Sequence, residues 1–165
     1  MGVAALVLTI IAGIKAKPDV PRLKDFQAIV GSNHLDLDHP DNFVAACMLS
    51  EAVGSRDHDF LSGILGQLAN VGSKGQKVDE NGLNFMLSMV KGVKPRDQIE
   101  AMLASQMAAV HDATMTFARR LNNVANIPQQ DSAERAFNKL ARTFTAQVEA
   151  LKRYRSVGEQ TVRVE

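Results

Sequence analysis

His34, Asp36, Asp38, His39 and Asp41 form the densest group of proton-handling and metal-ligating side chains in the chain, and Asp57, His58 and Asp59 stand near enough to join them. Histidine with carboxylates is a donor set for Zn, Mn or Fe, and such a site would make the chain a metal-dependent enzyme. The spacing does not favour it. There is no His-Glu-x-x-His helix and no Glu-x-x-His pair. A calcium loop starting at Asp36 would carry Pro40 at its fifth position and Cys47 where the bidentate Glu belongs. The simpler reading is a loop whose acids sit at helix starts, where the macrodipole favours them. No metal ligand is assigned and no cofactor is expected.

Other chemistries fare no better. Cys47 lies in the apolar run Phe43 to Leu49 without a neighbouring cation to lower its pKa, so a buried, inert thiol is expected. No Gly-x-Ser-x-Gly elbow is present, and Gly72-Ser73-Lys74-Gly75 lacks the spacing of a phosphate-cradling loop. His111 and Asp112 are adjacent, and on a helix they point about 100° apart, too far to share a site unaided. Arg119 and Arg120, with Gln129 and Gln130 across a turn, read as groups that cap a hairpin. No catalytic residue is assigned, and the chain reads as a non-enzyme.

The basic residues Arg135, Lys139, Arg142 and Arg153 fall on one helical face, with Lys152 and Arg155 nearby and Glu149 the sole acid between Arg135 and Arg155. Such a stripe could follow phosphates or an acidic protein, although its commonest use is to keep a long helix soluble. Composition restrains the first reading. With 19 Lys+Arg against 18 Asp+Glu the net charge is +1, so no global field draws the chain to nucleic acid or anionic lipid. Aromatic content of 5% with no tryptophan supplies few stacking platforms for bases.

The elements that position these residues are helical. At 165 residues and 45% hydrophobic content, one domain with a sizeable core is expected. Residues 1–38 hold an apolar N-terminal run, Val3 to Ile14, and a loop. That run is shorter than the roughly 20 residues a membrane span requires, so no span is expected and the cytoplasm is the default location. A short helix is expected over Leu23 to Val30. The helical domain, 39–156, then reads as short helices over 41–53, 57–71 and 80–91, each closed by glycine.

From Arg96 the pattern lengthens. Leu103, Met107, Val110, Thr114, Phe117, Leu121 and Val124 step by four and three residues, a heptad seam over 96–124. A second helix, 131–155, is expected to start at Asp131 with Glu134 three residues on, and to carry its own seam at Ala133, Phe137, Leu140, Phe144, Val148 and Leu151. The short turn between them forces an antiparallel, coiled-coil-like hairpin. Its seams leave apolar edges at Ile99, Met102, Ala136 and Ala141, which the small helices or a second subunit must cover. The expected fold class is all-α, a long antiparallel hairpin in the C-terminal half packed with several short helices. Residues 157–165 form a tail, strand-like or disordered.

The strings Gly82 to Ser88, Ile99 to His111, Thr116 to Leu121, Ile127 to Phe144 and Leu151 to Arg155 resemble an uncharacterised bacterial protein family, over about residues 39 to 162. The resemblance implies a bacterial protein with no assigned reaction, cofactor or partner, and a longer Val- and Gly-rich tail than this chain has. The reading that joins these observations is a helical interaction or scaffold protein that self-associates or binds a protein partner. The alternative is a nucleic-acid accessory protein using Arg135, Lys139, Arg142, Lys152, Arg153 and Arg155.

Overall fold

Aspartate starts four successive helices, and the reason is the same each time. The first amides of a helix have no intrahelical acceptor, and a short carboxylate in extended backbone supplies one. Asp41 Oδ1 accepts from the amide of Phe43 at 2.8 Å, Asp57 Oδ1 from Phe60 at 2.9 Å, Asp79 Oδ1 from Gly82 at 3.1 Å and Asp97 Oδ1 from Glu100 at 2.9 Å. These caps open α1 (Asn42–Val53), α2 (His58–Gly72), α3 (Glu80–Val93) and α4 (Gln98–Leu121). A fifth helix, α5 (Ile127–Ser156), follows. The computed structural model describes residues 23–26, 35–37, 40–73, 79–123 and 126–156. The apolar run Val3 to Ile14 and the tail 157–165 lie outside the described residues.

The fold is all-α, with a long antiparallel hairpin, α4 and α5, packed with three shorter helices. Two sequence expectations need correction. Leu23–Phe26 is not helical: it forms β1, paired antiparallel with β2 (Leu35–Leu37), Leu23 opposite Leu37 and Phe26 opposite Leu35. A single isolated turn of helix fixes several residues for one hydrogen bond, whereas a ribbon satisfies backbone groups across two segments. The last helix also starts four residues before Asp131. Asn126 Oδ1 accepts from the amide of Gln129 at 3.0 Å and caps the earlier start. Pro128 sits comfortably in this first turn, where its missing N–H would have had no partner anyway.

α1 ends at Gly54, whose φ of +70° belongs to the left-handed region. The following amide, Ser55, bonds back to the carbonyl of Ser50 at 3.1 Å and closes the helix end. Here glycine has a second role. A Cβ at position 54 would overlap the carbonyl oxygen of Pro95, so the end of α1 lies directly on the α3–α4 link. The core fills the space among α1, α2, α3 and the first half of α4. Leu49 and Val53 meet Ile64, Leu65 and Leu68 from α2 and Leu83, Met86, Leu87 and Val90 from α3. α4 contributes Ala101, Ala104 and Ala108, small side chains that let the helices approach closely.

Candidate interaction surface

The hairpin is locked at its base. Glu100, in the first turn of α4 and 2% exposed, receives Arg155 from the end of α5: Nε donates to Oε1 at 3.0 Å and Nη2 to Oε2 at 2.8 Å. Arg155 Nη2 also donates to the carbonyls of Val93 at 2.9 Å and Lys94 at 3.2 Å, while the amide of Arg96 donates to Glu100 Oε2 at 2.9 Å. One guanidinium thus ties the ends of α3, α4 and α5 together. Beside it, Tyr154 donates its phenolic O–H to Asp97 Oδ2 at 3.1 Å. The Arg155 hydrogen bonds hold the Glu100 carboxyl below the usual carboxylate range, outweighing the opposing effect of burial, and raise the Arg155 pKa in turn. The Tyr154 hydroxyl is pushed up by its bond to Asp97.

Above this base the hairpin thins to two helices. His111 on α4 lies between Phe85 of α3, with ring centroids 6.3 Å apart, and Phe144 of α5, at 6.2 Å. Among the described residues this is where α3 last reaches α4 in an aromatic contact. Beyond it Thr114, Phe117, Leu121, Phe137 and Leu140 are only half-buried, because among the described residues each helix has a single neighbour to hide against. Away from the core Ile99 is 53% and Met102 44% exposed, and Met115, on the continuation of the stripe that holds Ala101, Ala104 and Ala108, is 55% exposed. Ala136 and Ala141 are half-buried.

The basic face is split by the same architecture. Arg135, Lys139 and Arg142 line one shallow groove on α5 with Asn138 and Thr143, and Lys152 and Arg153 are exposed further along. Arg155 does not join them, since its guanidinium is turned inward to Glu100. At the turn, Arg120 stacks over the Phe117 ring at 5.1 Å, and Asn123 Nδ2 donates to the Arg119 carbonyl at 2.8 Å. Asn123, not either glutamine, supplies the side-chain bond to the end of α4.

The remaining candidate groups disperse. Asp41 and Asp57 act as helix caps, and His58 approaches Asp59 at 3.9 Å with both side chains exposed. Among the described residues no group of three or more His, Cys, Asp or Glu side chains is placed to hold a metal ion. His34, Asp38 and His39 lie outside them. Cys47 is exposed, correcting the expectation of a buried thiol. α1 turns Ala45, Leu49 and Val53 inward at four-residue spacing, and position 47 falls on the opposite side.

Sequence reasoning missed the Glu100–Arg155 lock. One half of it was visible, since Asp97 and Glu100 have the spacing of a capping box. The other half lies 55 residues away and has no local signal. No described helix is long and apolar enough to cross a membrane. No protein-family profile, curated protein or solved structure matches this chain.

Proposed function

We propose that this chain is a non-enzymatic helical interaction protein of the bacterial cytoplasm that self-associates through its α4–α5 hairpin. The observation that carries the reading is the outer hairpin, where the seam residues Phe117, Leu121, Phe137 and Leu140 remain half-exposed and Met115 lies open on the flank. Two helices packed on each other hide one stripe each, and apolar side chains left open in this way mark an association site. Sedimentation velocity across a wide concentration range is the test. A species that shifts from one chain to two or more supports the reading, and a compact single chain at every concentration removes it.

A second reading rests on Arg135, Lys139 and Arg142 sharing one groove, with Lys152 and Arg153 exposed on the same helix. These five cations could follow a phosphate backbone, and titration with DNA and RNA at two salt concentrations decides it. Phosphate tracking requires affinity that falls steeply with salt. No binding at low salt, or binding indifferent to salt, excludes it.

A further inference from the structure

Resting on the self-association reading, we infer that the partner on the outer hairpin is a second copy of this chain, with the two α4 helices antiparallel about a twofold axis between Met115 and Thr116. The stripe that α4 turns to the core, Ala101, Ala104 and Ala108, continues past the end of α3 as Asp112, Met115 and Arg119 at the same three- and four-residue spacing. α3 has 14 residues and α4 has 24, so about 15 Å of α4 outruns α3. Met115 is at the centre of that overhang.

Its flanking charges are opposite in sign, Asp112 on the body side and Arg119 on the tip side, and neither has an ion partner among the described residues. Two turns apart on one helix, they lie roughly 10 Å from each other along the axis, too far to pair within the chain. An antiparallel copy solves this. With the axis between positions 115 and 116, Asp112 of each chain faces Arg119 of the other, and Met115 packs at the centre. A twofold interface must be self-complementary in this way, each residue meeting the one that meets it.

The charge pattern sets register and excludes the parallel alternative, where Asp112 would face Asp112.

Reciprocal charge reversal in the full chain tests this, read by sedimentation equilibrium with thermal melting to verify folding. Asp112→Arg alone and Arg119→Asp alone place like charges opposite each other twice per dimer and should each weaken self-association by about tenfold or more. Mixing the two variants one to one should restore a heterodimer, because both opposed pairs then carry opposite signs. The double variant D112R/R119D should dimerise as the wild type does. If the wild type dimerises and the single variants do so equally well, this register is overturned while the self-association reading stands. A wild type that stays monomeric overturns both and leaves the stripe to another occupant, such as the apolar run Val3 to Ile14 of the same chain.

Discussion

The body formed by α1, α2, α3 and the first half of α4 hides medium-sized aliphatic side chains completely, whereas the outer hairpin carries larger ones and hides them halfway. Leu65, Leu68, Leu83, Met86 and Val90 are essentially inaccessible. Phe117, Phe137, Leu140 and Phe144 are each partly open. Side-chain hydrophobicity does not account for the difference, since phenylalanine has more apolar surface to hide than leucine or valine. The number of layers does. Among the described residues every helix of the body has neighbours on more than one side, while in the outer hairpin each has one. The body therefore holds the cohesion of the monomer, and the hairpin holds its capacity to recruit another surface.

The largest expected effect separates the two regions by paired truncations. Leu65→Ala removes a fully buried side chain among three helices and should cost about 3 to 5 kcal/mol. Leu140→Ala removes a half-buried one and should cost about 1 kcal/mol at concentrations where the chain is monomeric. Urea unfolding of both variants measures the contrast. Equal costs would mean that the outer hairpin is covered as thoroughly as the body, and the comparison would fail.

A second contrast divides the basic residues of α5 by what they touch. Arg155→Ala strands Glu100, 2% exposed, without its counter-charge and frees two backbone carbonyls. The expected cost is about 3 kcal/mol, at the lower end for a broken buried pair because the Arg155 side chain keeps 29% exposure. Arg153→Ala, two residues away and exposed, should change stability by no more than about 0.5 kcal/mol. Similar losses for both would show that the stripe is one structural unit and that Arg155 is not set apart by Glu100.

The helices and the hairpin were legible because their signals are local: aspartates and glycines at the ends, and apolar residues at three- and four-residue steps between them. Errors arose where a local signal competed with a stronger one. Asp131 and Glu134 resemble a helix start, but Asn126 with Pro128 offers an equally good one four residues earlier, and a longer helix satisfies more backbone groups. Cys47 sits in a run too uniformly apolar for sequence to say which side faces in. That side is chosen by where α2 and α3 lie. Arg155 reads as part of the basic face because its spacing on the helix is a property of the sequence, whereas its turn inward depends on a carboxylate in another helix. The stripe at Met115 has no local signal, because its flanking charges acquire meaning only from the shorter length of α3.

The smallest expected effect concerns pH, and it isolates the charge of Glu100 from its shape. The folded-state pKa of Glu100 is depressed by Arg155, so in acid the unfolded chain binds more protons at this position than the folded chain does. The stability it contributes is fully present above the unfolded value, about 4.3, and is lost as the pH falls through the lower folded value. Glu100→Gln keeps the side chain's size and one acceptor for the Arg96 amide but removes the charge that Arg155 faces. The variant should be less stable than the wild type at neutral pH, and the gap should narrow as the solution is taken from about pH 5 to about pH 3. Urea midpoints across that range provide the measurement. A gap of constant size would mean that the charge contributes nothing and that Arg155 is held by the Val93 and Lys94 carbonyls alone, which would move the lock at the hairpin base from α4 to the end of α3.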